Sequence, residues 1–269
     1  MSIEVFRLRD RGHSMILFQG VAIHRIKGHD PSFEKRDSLA HSLDPEMRNY
    51  LVEEPLGGIE LDDGMVIVER EGTALDVDNS AHLTCLGKTL AALHYLPTKQ
   101  FDSQLFANDL LKHGRYCEQR VWQALITPRL QRLFSQDASD YLFQALAFPS
   151  NLKNQQLSLI HGGLHDRNML FFGGTLKLID WSSARFDHPL IDVAQFILSS
   201  ALTQTQATRL ARAYAPKMSL VMLAPFIRLN MVWNMLHMPT HPTYRRSHEI
   251  WLAEYPNFRT ALQQVGLVL

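Results

Sequence analysis

The sequence Leu159-Ile-His-Gly-Gly-Leu-His-Asp-Arg-Asn-Met-Leu170, followed by Leu176-Lys-Leu-Ile-Asp-Trp181, decides how this chain is interpreted. Asn168 closes the first stretch as a loop residue, and Asp180 comes directly after a short apolar strand in the second. Amide and carboxylate oxygens are ligands that magnesium accepts, usually together with phosphate oxygens and water. The two stretches therefore carry two side chains with oxygens of the kind that hard cations prefer.

The loop resembles the catalytic loop of phosphotransferases. Protein kinases carry H-x-D-x-x-x-x-N, in which the Asp is the base and the Asn binds a metal, and a second metal-binding Asp follows the next strand. The aminoglycoside phosphotransferase and choline kinase family is more similar, with H-G-D-L-H-x-x-N and then I-D-W. This chain has His161-Gly-Gly-Leu-His-Asp-Arg-Asn168 and then Ile179-Asp-Trp181. The resemblance implies that Asn168 and Asp180 bind magnesium and that Gly163 stands where the base is missing.

Two further loop residues are candidates for the chemistry. The family often has a histidine at the position of His165, which either contacts phosphate or only packs and caps the loop. Asp166 is an acidic group near the missing base and is a candidate to accept a proton late in the reaction. The alternative for Asp166 is a solvated turn, because Asp favours turns by bonding its own backbone.

Flanking segments extend the resemblance over roughly residues 60–215. The segment Asp187-His-Pro-Leu-Ile-Asp-Val-Ala194 is similar to the family's D-P-x-x-D-x-A, in which the second Asp, here Asp192, braces the loop. The segment 86–94 resembles a helix that ends in L-A-x-L-H. The segment Gly64-Met-Val-Ile-Val-Glu-Arg-Glu-Gly72 resembles the last small-lobe strand and the hinge beside adenine, so we expect Glu69 and Glu71 close to the nucleotide.

The position of the phosphate-binding cation is open. Val21-Ala-Ile-His24 aligns with the kinase motif V-A-I-K, whereas sliding along the strand offers Arg25 or Lys27. The two-residue alternation of a strand places Arg25 and Lys27 on one face and position 24 on the other. Glu34, in the helix-like run 31–39, is the natural acidic partner, with Glu46 in reserve.

The small lobe has no G-x-G-x-x-G motif. Glycines in such a loop let backbone N–H groups approach phosphates closely. The turn Asp10-Arg-Gly-His13 either covers phosphates in a reduced form or is a plain hairpin.

The coarse pattern changes from strands to helices along the chain. Strands are predicted at residues 4–8, 14–18, 21–26, 50–52 and 65–68, with turns such as Gly57-Gly58 between them. From Ser80 onward apolar residues recur at helical spacing through Leu83, Leu86, Leu90 and Leu93. The resemblance implies an α+β, two-lobed protein-kinase-like fold. We expect a small antiparallel N-lobe over residues 1–75 and a larger α-helical C-lobe over residues 76–269.

Composition limits the class of protein. The chain has 269 residues, 46% of them hydrophobic, and 27 basic against 27 acidic residues. It is long enough for a sizeable core, and a neutral total without like-charge runs argues against nucleic-acid binding or a polybasic membrane patch. The two cysteines, Cys85 and Cys117, do not suggest a disulfide framework or a zinc site, so a cytoplasmic protein is expected. The apolar run Met218–Met238 contains Arg228 and two asparagines, which favours a buried helix over a membrane span.

These features predict an ATP- and magnesium-dependent phosphotransferase that acts on a hydroxyl of an unidentified small molecule with weakened activity. General-base help is worth about 10²–10⁴-fold, so the loss of the base predicts a weakened enzyme. The alternative is a pseudokinase, which keeps the cleft as a nucleotide-binding or regulatory module. A third variant transfers a different part of ATP.

Overall fold

The structure is a computed structural model that describes residues 4–7, 14–18, 21–27, 31–107, 157–237 and 241–264. Within these residues a strand-rich first part precedes a helical second part. The strands are β1 (Glu4–Arg7), β2 (Ser14–Phe18), β3 (Val21–Lys27), β4 (Gly57–Leu61), β5 (Gly64–Arg70), β6 (Thr73–Ala74), β7 (Ser158–Ile160), β8 (Met169–Phe172), β9 (Thr175–Leu178) and β10 (Arg185–Asp187). The helices are α1 (Pro31–Ser42), α2 (Pro45–Leu51), α3 (Ser80–Tyr95), α4 (Leu190–Ser199), α5 (Gln204–Tyr214), α6 (Leu220–His237), α7 (Pro242–Glu254) and α8 (Pro256–Gln264).

The first five strands form one antiparallel sheet in the order β1-β2-β3-β5-β4. Helix α1 follows β3 and packs against the turn that comes after β9. A second sheet joins β6, β8 and β9, and the short strands β7 and β10 pair with each other. The turns that carry the quoted motif therefore lie between β7 and β8 and between β9 and β10.

Two local predictions were wrong. Residues 50–52 were expected to be a strand, but α2 runs through Leu51, because Asp44 caps the helix by accepting a hydrogen bond from the Met47 amide and Pro45 begins it. A short apolar run does not by itself distinguish a strand from a buried helix end. The Gly57-Gly58 turn is instead the start of β4, whose residues are all exposed at the edge of the sheet, so no alternation marked it.

The helical part has the expected core. The predicted positions on α3 are fully buried, and Asn79 caps the helix by accepting from the Ala81 amide. Helix α4 is apolar on nearly all sides and nearly every residue is buried, which makes it the centre of this core. A central helix is a rigid position from which a polar side chain can hold a neighbouring loop.

The apolar run near residue 230 forms α6, which carries Pro225 inside it and buries Leu223, Phe226 and Ile227. In the described part of the chain, no helix has the length and apolarity needed to cross a membrane. Cys85 is a free cysteine on α3, and Cys117 lies outside the described residues.

Candidate active site in the cleft

Asn168 ends a single 3-10 turn, Asp166–Asn168, between β7 and β8. The side chain is buried, and its Nδ2 donates to the carbonyl oxygen of Gly163 at 2.9 Å. Its backbone carbonyl accepts from the Ile179 amide at 3.0 Å, which ties the loop to the end of β9. Because Nδ2 is used inside the loop, Oδ1 is the atom that remains to face a cation.

Asp180 follows β9 in a left-handed conformation, with φ 59° and ψ 73°. Only a few non-glycine residues adopt this region, and such strain concentrates at functional sites. One carboxylate oxygen, Oδ1, accepts from the hydroxyl and the amide of Ser182 at 2.7 and 3.3 Å. The side chain is thereby oriented while Oδ2 is left for a ligand.

Asp192 braces the loop from α4, as the family resemblance predicted. Its carboxylate accepts from the backbone amides of His161 and Gly162, both at 2.8 Å, and from His94 Nε2 at 3.0 Å. Burial raises the pKa of Asp192, but the hydrogen bond from His94 and the charge of that ring outweigh it, so this pKa lies below its ordinary value. Tyr214 lies behind, 3.1 Å from His94 Nδ1. The loop is thus fixed by a charged group in the helical core.

His161 connects the loop to the end of β9, next to Asp180. Its Nε2 lies 2.9 Å from the carbonyl oxygen of Ile179, which assigns the ring proton to this nitrogen because a carbonyl only accepts. Burial lowers the pKa of His161, so the ring is neutral at physiological pH. Its Nδ1 is buried and has no hydrogen-bond partner in the part of the chain that the structure describes.

The two glycines of the loop have different surroundings. Gly162 has φ 74°, and a Cβ there would lie 2.3 Å from the carbonyl oxygen of Ser183. Gly163 has no positive φ, and a Cβ would lie 3.5 Å from Ser183 Cβ and Oγ, an ordinary contact. The backbone therefore requires glycine at 162 but accepts a side chain at 163.

Asn168, Asp180 and Gly163 line one cleft of about 1100 Å³, together with His165 and Asp166. The residues described include no group of three or more His, Cys, Asp or Glu side chains that would hold a metal alone. One carboxylate and one amide oxygen suit magnesium, which is commonly held by few protein groups plus phosphates. The donor set therefore fits a magnesium ion that arrives with a phosphate ligand.

His165 and Asp166 lie on the open side of this cleft. His165 Nδ1 is 4.0 Å from Asp166 Oδ1, and the two side chains are 40% and 59% exposed. Burial lowers the pKa of His165, although the carboxylates of Asp166 and Asp180 act in the opposite direction. His165 is therefore an uncharged imidazole at neutral pH, able to accept or donate a hydrogen bond.

The residues predicted beside the nucleotide are distributed along β3, β5 and α1. Glu69 lies on β5 and forms an ion pair with Arg36 of α1, while Glu71 is exposed just after that strand. Glu34 is exposed on α1. Arg25 and Lys27 lie on β3, opposite Val66 and Gly64, and their side chains are not among those described.

Sequence reasoning missed several residues that line the cleft. Lys35 comes from α1, and Tyr244, with His241 before it, comes from the start of α7. Ser199 supports the loop by donating to the Leu164 carbonyl at 2.8 Å. These contacts join segments distant in sequence, and no local motif indicates them, although Lys35 directly follows the predicted Glu34.

Solved structures with a similar fold cover nearly the whole chain. A choline/ethanolamine kinase family protein from Mesorhizobium loti matches with a TM-score of 0.62 and 15% identity, over 98% of this chain and 93% of that chain. The GDP complex of aminoglycoside 2'-phosphotransferase-IIIa matches with a TM-score of 0.60 and 16% identity, over 99% and 91%. A thermostable mutant of aminoglycoside phosphotransferase APH(4)-Ia, in ternary complex with AMP-PNP and hygromycin B, matches with a TM-score of 0.59 and 14% identity, over 98% and 92%.

These similarities confirm the predicted α+β, two-lobed kinase-like fold. Among proteins with curated functions, none matches the sequence. A family model described as the phosphotransferase enzyme family (APH) matches residues 38–222, a segment that includes the loop, Asp180 and Asp192. The chain therefore belongs to the APH phosphotransferase enzyme family.

Proposed function

We propose that the protein transfers a phosphoryl group from ATP to a hydroxyl of a small molecule, with magnesium as cofactor and at a reduced rate. Asn168 and Asp180 would hold the metal, which supplies charge stabilisation to the phosphates when bound. The residues themselves orient the nucleotide and restrict its phosphates to one end of the cleft. A cytoplasmic location belongs to the same proposal and rests on the low cysteine content.

The observation that carries the proposal is that Asn168 and Asp180 line one cleft and that each keeps an oxygen free of bonds within the loop. Asp180 also keeps a left-handed backbone, and a strained residue beside a site is consistent with a ligand-binding role.

The reduced rate follows from Gly163. Phosphoryl transfer depends mainly on positioning and electrostatics, and a general base typically contributes about 10²–10⁴-fold. Asp166 and His165 both line the cleft. We propose that they receive the proton of the acceptor's hydroxyl in the absence of the base. Two of the related structures named above were solved with GDP or with AMP-PNP and hygromycin B, which supports a nucleotide and a small molecule as ligands.

The second candidate is a pseudokinase that binds nucleotide without efficient transfer. The absence of a carboxylate at position 163 favours it, whereas the retained Asn168 and Asp180 favour transfer. In that case Arg25, Lys27, Glu34, Glu69 and Glu71 would serve nucleotide binding only.

The test is magnesium-dependent binding of ATP, measured by calorimetry and by thermal shift. Asp180→Asn removes the charge of the proposed metal ligand, while the amide oxygen still accepts from Ser182, so the fold should be retained. ATP at 100 times its dissociation constant should stabilise the parent protein by about 2.7 kcal/mol, and this shift should shrink in the variant.

Glu249→Gln is the matched control, because it makes the same chemical change at an exposed position on α7. It should bind magnesium-ATP like the parent. Transfer is then assayed with aminoglycosides, choline, ethanolamine and sugars. Binding without transfer to any acceptor would favour the pseudokinase, and a parent protein that binds no purine nucleotide would contradict both candidates.

A further inference from the structure

Lys35 reaches from α1 to the turn that follows Asp180. Its Nζ donates to the carbonyl oxygens of Ser182 and Ala184, at 3.0 and 2.7 Å. A lysine ammonium has three N–H donors. Two are used by these carbonyls, and one is left for another acceptor.

Lys35 differs from three other cations that are at least partly buried. Arg36 pairs with Glu69, Arg185 with Asp187, and Lys177 with Glu53. No ion pair among the described residues includes Lys35. A partly buried ammonium that meets only neutral oxygens lacks the compensation that buried charges usually have.

The surroundings of Lys35 favour an anion. Burial lowers the pKa of Lys35 and the positive charge of Arg185 lowers it further, against the opposite effect of Glu34. Each of these penalties would be relieved by a negative group in contact with the ammonium. Lys35 lines the same cleft as Asn168 and Asp180, so an anion in contact with it would share that cleft with the proposed metal site.

We propose that the free N–H of Lys35 binds a phosphate oxygen of the nucleotide, so that a cation from α1 takes part in phosphate recognition in this chain. The inference rests on the proposed function, because it assumes that the cleft takes a polyphosphate. It also assigns α1 a role different from the one predicted, in which the helix supplies an acid, Glu34, to a cation on β3. Here α1 supplies the cation itself and is bonded directly to the turn after Asp180.

The experiment compares Lys35→Gln and Lys35→Met with Lys88→Met, a matched loss of a lysine at an exposed position on α3. Glutamine keeps N–H donors for the two carbonyls but removes the charge, whereas methionine removes both. Dissociation constants are measured by calorimetry for magnesium-ATP, magnesium-ADP, adenosine and inorganic tripolyphosphate. Melting temperatures are recorded for each variant without ligand.

Both Lys35 variants should weaken magnesium-ATP binding by roughly 10- to 100-fold, the range for loss of a charge-assisted hydrogen bond. Adenosine binding should change by less than about twofold, because adenosine has no phosphate for the ammonium to bind. Lys88→Met should bind all four ligands like the parent. Equal weakening of ATP and adenosine in Lys35→Met, with full recovery in Lys35→Gln, would overturn the proposal in favour of an anchor for the turn. Unchanged ATP binding in both variants would overturn it too.

The tripolyphosphate measurement separates the inference from the proposed function. If the parent binds tripolyphosphate in a Lys35-dependent way but binds neither ATP nor adenosine, the anion site stands and the phosphotransferase proposal fails. If the parent binds ATP and the Lys35 variants bind it equally well, the proposed role of Lys35 fails and the phosphotransferase proposal stands. A parent that binds none of the four ligands overturns both.

Discussion

The two sides of the cleft are held in place by different kinds of contact. On the loop side, the buried carboxylate of Asp192 accepts three hydrogen bonds and fixes the backbone of His161 and Gly162 from the centre of the helical core. On the α1 side, individual long side chains make the contacts: Lys35 donates hydrogen bonds to two carbonyl oxygens, and Arg36 forms an ion pair with Glu69. Buried networks specify one arrangement, whereas single contacts at a partly exposed surface contribute less and permit adjustment. The loop side is therefore the fixed part of the site, and the α1 side is the part that a ligand completes.

The largest expected effect is on the rate, at Gly163 on the fixed side, where the family resemblance predicts that the base is missing. Gly163→Asp should place a carboxylate at the position of the missing base and raise ATP hydrolysis or transfer by up to roughly 10²–10⁴-fold if proton acceptance limits the reaction. The backbone accepts a side chain there, since φ is not positive and a Cβ makes only ordinary contacts. Turnover is measured with the acceptor panel described above.

Two alanine variants control for the backbone. Gly163→Ala should fold normally and leave turnover at the parent level, because it adds no carboxylate. Gly162→Ala should be clearly destabilised, because its φ is 74° and its Cβ would lie 2.3 Å from a carbonyl oxygen. A folded Gly163→Asp protein that binds magnesium-ATP and stays as inactive as the parent would indicate that more than the base has been lost.

The second largest effect should follow from removing the brace. Asp192→Ala leaves two backbone amides and His94 without their shared acceptor in a buried place. Breaking a buried charged network by removing one partner costs about 3–5 kcal/mol. Urea unfolding should show this loss, whereas Asp166→Ala, at an exposed loop position, should stay within about 0.5 kcal/mol of the parent. Equal stabilities of the two variants would mean that the loop side is not the fixed side.

Sequence alone predicted the loop side well, because its contacts are encoded in local motifs. The spacing of His161, Asn168 and Asp180 and the position of Asp192 follow from the quoted segments. The α1 side was predicted poorly. Lys35 and Ser182 are 147 positions apart in sequence, and no propensity or periodicity links two such residues.

The errors in secondary structure also arose where the local sequence gives no signal of the contacts in the folded chain. Residues 50–52 are apolar because α2 ends in the core, where Val52 also forms a parallel bridge to Leu178, and not because they form a strand of the first sheet. The strand β4 was missed because an exposed edge strand buries neither face. The division of the chain at residue 75 stays a prediction. Strand β6, at Thr73–Ala74, lies before that boundary but pairs with β8, which lies after it.

A smaller effect, on the order of 2 kcal/mol, is expected from pH. His248 lies on α7, which packs against α4, and it is 1% exposed. Among the described residues, neither of its ring nitrogens has a hydrogen-bond partner. Burial lowers its pKa to about 4. Between pH 6.5, the ordinary value, and pH 4 the unfolded chain binds more protons at this residue than the folded protein does, so stability should fall as the pH falls.

His248→Phe should remove this part of the acid dependence, and chemical unfolding at several pH values measures it. His188, with a pKa of about 4, acts in the same direction in the parent and in the variant, whereas Asp187, with a pKa raised by burial to about 6, opposes it. The difference between parent and variant isolates His248. An acid limb that is as steep in His248→Phe as in the parent would show that the buried ring is not the source.

The smallest effect concerns the second side-chain contact on the α1 side, the ion pair between Arg36 and Glu69. Their side chains are 11% and 20% exposed, so a double-mutant cycle with Arg36→Met and Glu69→Gln should give a coupling of about 1 kcal/mol. Arg36 also lies over the ring of Phe33, 4.4 Å from its centroid, and the cycle cancels that contribution because it is lost in both arms. The matched pair Arg48 and Glu54, 36% and 54% exposed, should couple more weakly, by about 0.3 kcal/mol. If the coupling of Arg36 with Glu69 instead approaches the loss seen for Asp192→Ala, the α1 side is as rigid as the loop side. The distinction between a fixed side and an adjustable one would then have to be given up.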